Sequence, residues 1–164
     1  MSASVMAMGD WTIEPLHAPT DIDGILAVEA ASFTNPWTRE MYLAELQQEG
    51  RAFFLLARTA DRRVVGFCSF WRVLDEVHIN NLAVLPTYRR RGIARALLNR
   101  MFADAAGWGA VRALLEVRRS NAEAQRLYEA MGFTVAGVRR GYYSHPVEDA
   151  LVFWREPLAL RPST

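Results

Sequence analysis

The stretch that most constrains how this chain can fold is residues 80–100, Asn-Asn-Leu-Ala-Val-Leu-Pro-Thr-Tyr-Arg-Arg-Arg-Gly-Ile-Ala-Arg-Ala-Leu-Leu-Asn-Arg. An apolar strand ending near Val84 meets Pro86, which has no amide hydrogen with which to continue a ladder, and the chain passes into a cationic turn. From about Gly92 the apolar residues Ile93, Leu97, Leu98 and Met101 recur at helical spacing, so an amphipathic helix follows. Residues 113–117 then read as another strand. A strand, a crossover helix and a second strand of the same sheet require that those two strands run parallel.

The remaining elements arrange themselves around this unit. Residues 11–16 read as a first strand. Thr20, with Asp23 three positions on, is a capping pattern for a helix that places Ile22, Ile25, Leu26, Glu29 and Phe33 at its spacing. Asn35-Pro36-Trp37 breaks that helix, and Thr38 is placed to cap a second one to about Gln48, so two short helices meet at an aromatic elbow. Residues 53–58, 64–73 and 76–84 are three strands in succession and indicate an antiparallel meander. The crossover helix ends near Gly107-Trp108-Gly109, where a helix C-cap explains the glycines better than a nucleotide-binding turn. Asn121 is a good N-cap for a helix ending at Met131-Gly132, with Leu127 and Met131 marking its buried stripe. Residues 134–139 and 149–154 make a final strand pair around the segment 140–148. The expectation is an α/β chain with a mixed, mostly antiparallel sheet of about seven strands flanked by about four helices. It forms a single domain over residues 1–164, with loosely ordered tails at 1–9 and 158–164.

Composition narrows the chemistry. At 164 residues the chain is long enough for one core and too short to expect two domains. The formal net charge is +1, so the cluster Arg89, Arg90 and Arg91 is a local feature of a balanced surface and general nucleic-acid binding is not indicated. All 19 basic residues are arginine. Without lysine there is no Schiff base, no pyridoxal site, no phosphate-binding Walker lysine and no Ser-Lys pair. Cys68, the single cysteine, sits in an apolar strand and reads as a buried small hydrophobe. His17, His78 and His145 are scattered without ligand spacing, so no metal is expected. Residues 1–9 lack the basic start and apolar core of a secretory signal, and no apolar run approaches the roughly 18 residues of a membrane span. A cytoplasmic protein is expected, without membrane contact, as a monomer or weak dimer.

Three features could carry chemistry. The turn at Arg89, Arg90, Arg91 and Gly92 sets guanidinium groups beside the first backbone N–H groups of a helix, an arrangement suited to a phosphate or pyrophosphate. Glu116 interrupts the apolar run of residues 113–117, where a carboxylate facing a core would be costly. It either faces a cleft as a proton acceptor or forms an ion pair with Arg118, two residues on along the same strand face. Tyr128 lies at the edge of its helix's buried stripe, where packing is its default role and an outward hydroxyl the alternative.

The wording of these segments resembles the GNAT N-acetyltransferase superfamily. Arg89-x-x-Gly92-x-Ala94 after Leu-Ala-Val is similar to its acyl-coenzyme A signature. Leu115-Glu-Val-Arg-Arg-Ser-Asn121 and Leu127-Tyr-Glu-Ala-Met-Gly-Phe133 look like its second coenzyme-binding half. More narrowly, Phe33-Thr-Asn-Pro-Trp37, Arg139-Arg-Gly-Tyr-Tyr143 and Glu148-Asp-Ala150 resemble the RimI-type ribosomal protein N-terminal alanine acetyltransferases. Gly141 stands where relatives often carry Asn, and Ala94 replaces the commoner Gly.

The resemblance implies a GNAT fold in which acetyl-coenzyme A lies where the two parallel strands splay apart. Glu116 would accept the proton of the substrate amine and Tyr128 would protonate the departing thiolate. Leu82, Ala83 and Val84 would bond the acetyl-pantetheine arm, with the Val84 N–H polarising the carbonyl. Arg89, Arg90, Arg91, Gly92, Ile93 and Ala94 would wrap the pyrophosphate, and Asn121 would contact the coenzyme further along. Trp37, Tyr142 and Tyr143, with a carboxylate, would line a groove suited to a basic peptide N-terminus. The expected acceptor is the N-terminal alanine of the eighteenth small-subunit ribosomal protein, reached by direct transfer in a ternary complex. The alternatives are a GNAT acting on a lysine side chain or a small amine, and a coenzyme-binding regulator without catalysis.

Overall fold

The computed structural model describes residues 10–17, 19–33 and 35–158. In chain order the elements are β1 (Trp11–Pro15), α1 (Asp21–Ser32), α2 (Arg39–Leu46), β2 (Ala52–Thr59), β3 (Val64–Val73), β4 (Glu76–Val84), a short 3-10 turn (Pro86–Tyr88), α3 (Ile93–Gly107), β5 (Arg112–Arg118), α4 (Ala122–Ala130), β6 (Thr134–Ser144) and β7 (Val147–Arg155). The strands form a seven-stranded sheet in the order β1-β2-β3-β4-β5-β7-β6. As the crossover helix requires, β4 and β5 are parallel, while β1/β2, β5/β7 and β6/β7 are antiparallel. The chain divides into two compact units. The first comprises the chain to Phe70 with Asn81–Arg100, the second Trp71–Asn80 with the chain from Met101 onward.

The first unit is built on strands whose apolar runs admit no solvent face. β2 is buried over most of its length and β3 over residues 64–70, as expected of strands covered on both sides. Cys68 lies in this part of β3 at 0% exposure, and burial pushes its thiol up to about 12. Ile22, Ile25 and Val28 form the buried stripe of α1. A Cβ on Gly24 would lie 2.6 Å from Cγ2 of Val64, so only glycine lets this helix approach β3 so closely. Thr38 caps α2 as anticipated, its hydroxyl accepting the Met41 N–H at 3.2 Å. Thr20 occupies the N-cap position of α1 but makes no side-chain cap. Asp21 instead accepts the His17 N–H at 3.0 Å and pairs with Arg58, which also donates to Glu14 at 2.9 Å. Thr20 itself has helical backbone angles, φ −64° and ψ −21°, and the Ile22 and Asp23 N–H groups donate to the Pro19 and Thr20 carbonyls, so its hydroxyl has no free donor to cap.

In the second unit β5 alternates, burying Ala113, Leu115 and Val117 and turning Arg112, Leu114, Glu116 and Arg118 the other way. Its pairing with β4 is registered from Glu76↔Arg112 to His78↔Leu114, whereas β7 follows it from Ala113↔Arg155 to Arg118↔Ala150. Asn121 caps α4, its side-chain oxygen accepting the Ala124 N–H at 3.1 Å. The helix buries Tyr128, while Leu127 and Met131, expected to mark its buried stripe, are only half-buried. Aromatic packing decides this, because the Tyr128 ring sits 5.6 Å from Phe133 and 6.2 Å from Phe153. The segment 140–148 is no open loop: β6 and β7 are longer than their apolar residues indicate and pair to Ser144↔Val147, with an irregularity between Arg139 and Tyr143. Leu158, assigned to a loose tail, is buried at 2% exposure and its carbonyl accepts from Arg155 at 3.3 Å. The expected tails at 1–9 and 159–164, and Thr34 of the elbow, lie outside the described residues.

Candidate active site

The first unit carries the cationic turn. After Val84 the 3-10 turn leads through Arg89, Arg90 and Arg91, all exposed, into α3. Arg90 and Gly92 take positive φ values of 64° and 84°, which swing the backbone round before the helix begins. The first intrahelical bond is Ala96 N–H to the Gly92 carbonyl at 3.0 Å, so helix geometry gives the N–H groups of Ile93, Ala94 and Arg95 no acceptor within α3. Nothing lies within 4 Å of where a Gly92 Cβ would stand, so the main chain is open to close approach there. Arg89 folds back to donate through Nε to the Val84 carbonyl at 3.1 Å, and Arg91 stacks on Tyr88 at 4.8 Å. Open backbone, helix N-terminus and guanidinium groups fit a pyrophosphate.

Trp37 also belongs to the first unit. Its ring lies 5.0 Å from that of Tyr42, and its backbone N–H donates to Glu29 Oε2 at 3.1 Å. The elbow is therefore held from behind by buried polar groups, none of which was singled out as functional in the sequence.

The second unit carries the candidate proton-handling residues. Glu116 does not pair with Arg118: its Oε1 lies 2.9 Å from His78 Nε2 and its Oε2 3.4 Å from Arg139 Nε. The side chain is 10% exposed. The hydrogen bond from His78 is the main influence drawing its carboxyl below the usual range, opposed by burial and assisted by the charges of His78 and Arg139. Arg118 points elsewhere, donating to Glu148 at 3.2 Å and lying 4.2 Å over the Tyr143 ring. Strand parity permitted the Glu116–Arg118 pair, but the β6–β7 hairpin offers Arg118 a carboxylate and an aromatic face together.

Nothing local in the sequence marks His78, whose partner lies 38 residues away. The signal was present in principle, since β4 and β5 had to be parallel neighbours. What was missing is the register His78↔Leu114 that sets this imidazole beside Glu116.

Tyr142 and Tyr143 pack edge to face at 5.1 Å. Burial, with Tyr142, Glu116 and Glu148 nearby, pushes the Tyr143 phenol up to about 12, so at neutral pH it is a hydrogen-bond donor. The acidic groups expected to meet a basic peptide are already engaged. Glu148 takes Arg118 and the Ser120 N–H, and Asp149 takes Arg119 and the Gly141 N–H. Among the described residues no cluster could hold a metal ion, and no helix is long and apolar enough to cross a membrane.

The mixed seven-stranded sheet, with α3 crossing over between the parallel strands β4 and β5, is the fold of an N-acetyltransferase. The family described as "Acetyltransferase (GNAT) family" matches residues 22–133, and the chain belongs to it. The sequence is 36% identical over 135 residues to the [ribosomal protein bS18]-alanine N-acetyltransferase of Salmonella typhimurium strain LT2, covering 81% of this chain and 89% of that one. The crystal structure of the ribosomal-protein-S18-alanine N-acetyltransferase from Escherichia coli is similar with a TM-score of 0.82 at 31% identity, over 94% of this chain and 97% of that one. Ard1 from Thermoplasma volcanium gives 0.81 at 28% identity, over 91% and 99% of the two chains.

Proposed function

We propose that this protein is a single-domain, cytoplasmic N-α-acetyltransferase that transfers the acetyl group of acetyl-coenzyme A to the N-terminal alanine of ribosomal protein bS18. The observation that carries the reading is the Glu116–His78 pair, a half-buried carboxylate hydrogen-bonded to an imidazole at 2.9 Å. The similarity to bS18-alanine N-acetyltransferases over most of the chain supports the acceptor.

The residues would divide the work as follows. Arg89, Arg90, Arg91, Gly92, Ile93 and Ala94 hold the pyrophosphate through guanidinium groups and helix N–H groups. Leu82, Ala83 and Val84 bond the pantetheine arm through the main chain, and Asn121 adds a contact beyond its capping role. Trp37, Tyr142 and Tyr143 seat the acceptor. The thioester supplies the activated acyl group. Glu116, directly or through water, takes the ammonium proton, and the hydrogen bond from His78 holds the carboxylate in place to receive it. The freed amine lone pair bonds to the carbonyl carbon, polarised by the Val84 N–H. As the carbon–sulfur bond breaks, Tyr128 gives its proton to the thiolate, and the second proton that the nitrogen sheds in becoming an amide restores the Tyr128 hydroxyl.

A peptide α-amine has a pKa of roughly 7.7–8.0, leaving about a tenth neutral at pH 7, against under about a thousandth for a lysine amine near 10.4. A base of modest strength therefore suffices for an N-terminus. The test is thiol release from acetyl-coenzyme A with an alanine-initiated, arginine-rich peptide. Its control is the same peptide with the α-amine blocked and an internal lysine retained. Turnover with only the free α-amine is expected. Turnover with the blocked peptide would move the acceptor to lysine, and coenzyme binding without turnover on either would replace catalysis by regulation.

A further inference from the structure

The first unit contains a buried carboxyl group that the proposed reaction does not use. Glu29 falls at helical spacing with Ile22 and Ile25 on the stripe that α1 turns inward, and it is 1% exposed. Among the described residues no guanidinium or imidazole pairs with it. Its Oε2 accepts the Trp37 N–H at 3.1 Å, and its Oε1 accepts the hydroxyl of Tyr42. That hydroxyl in turn accepts from Asn81 Nδ2 at 3.4 Å. Tyr42 is at 0% exposure, with its ring 5.0 Å from Trp37, 5.8 Å from Phe54 and 6.1 Å from Phe67.

An isolated carboxylate at such a place opposes folding, and an apolar side chain of the same volume would fill the stripe without that penalty. The group is instead aimed at a stretch that needs an acceptor for the Trp37 N–H. The elbow follows a proline, has no ladder of its own, and must present Trp37 in a fixed pose.

We propose that Glu29 is a positioning residue for the acceptor peptide. Its carboxyl latches the Trp37 amide and the Tyr42 hydroxyl, so that the Trp37 elbow is preformed when the peptide N-terminus arrives. This rests on the reading that Trp37 seats the acceptor. The contact to Trp37 is direct, whereas the link to Asn81 is longer and ends on a strand already held by its ladder. Loss of the latch therefore falls on the peptide and not on acetyl-coenzyme A.

The variant that isolates this role is Glu29→Gln, which keeps the volume. With one oxygen where the carboxylate has two, the amide keeps either the Trp37 N–H or the Tyr42 hydroxyl as its donor; its NH2 group then competes with Asn81 for the Tyr42 oxygen or opposes the Trp37 N–H. Steady-state kinetics with the alanine-initiated peptide should show the peptide KM raised about tenfold, with kcat and the acetyl-coenzyme A KM within about twofold of wild type. Tyr42→Phe, which removes one arm of the latch and keeps the ring, should shift the same constant in the same direction. Hydrogen exchange at the Trp37 amide, which needs no substrate, should be slow in the wild type and faster in Glu29→Gln.

An unchanged peptide KM in Glu29→Gln, or an equal loss in the acetyl-coenzyme A KM and kcat, overturns the proposal while leaving the acetyltransferase reading intact. A wild-type protein that turns over no α-amine peptide overturns that reading and this inference with it. The two failures are distinguishable because in the second it is the wild type that is silent.

Discussion

Glu116 shows how one side chain's chemistry is set by what strand register places beside it. With His78 donating at 2.9 Å and Arg139 nearby, its carboxyl titrates below the ordinary range. Glu116→Gln should lower kcat/KM by about 10²- to 10⁴-fold, the usual worth of a positioned general base. His78→Gln should act differently: removing the largest influence that depresses the carboxyl moves the acidic limb of the kcat/KM profile to higher pH. An acidic limb that stays in place in His78→Gln would detach the imidazole from the base. The same depression carries a stability sign. Ionised Glu116 favours the folded state above the ordinary carboxylate pKa, and that contribution fades as pH falls through the lower folded value. Arg118 belongs to the same lesson, since the partner nearest in sequence was not the partner in space.

At the scale of elements, what could be read from sequence is what burial writes into it. β3 and β4 were legible to the residue, and the parallel pairing of β4 with β5 followed from the crossover helix alone. The β6–β7 hairpin was not, because Arg140, Gly141, Tyr142, Ser144 and Val147 are exposed and their strand character comes from pairing, which leaves no apolar alternation to find. Thr20 failed for a different reason: its backbone is already helical, and the N–H groups that its hydroxyl would cap donate to the Pro19 and Thr20 carbonyls. Within the candidate site, the turn at Arg89 to Gly92 could be read locally, but the partner of Glu116 could not. Two substitutions test the element-level account by thermal denaturation. Gly24→Ala should cost about 1–3 kcal/mol through the 2.6 Å approach to Val64, unless α1 shifts away from β3. Asn121→Ala should cost about 1 kcal/mol by leaving the Ala124 N–H without its cap.

For the whole molecule, the two notable carboxyl groups pull the pH dependence of folding in opposite directions. Burial raises the Glu29 carboxyl above its ordinary value despite the hydrogen bonds from Tyr42 and Trp37. Its contribution is therefore fully present below the unfolded carboxylate pKa and is lost as pH rises through the folded one. Relative to wild type, Glu29→Gln should gain in unfolding free energy as pH climbs from about 4.5 toward neutrality; denaturant titrations that run parallel at every pH would refute this. The fold also decides how such experiments can be watched. Cys68 is the chain's one thiol, sealed in β3 at 0% exposure with its ionisation pushed up to about 12. To an aromatic disulfide reagent at neutral pH the folded protein is silent, so every sulfur counted during turnover is a product molecule. Once the chain opens, that thiol answers at one equivalent per molecule, and the same colour reaction becomes a clock for unfolding.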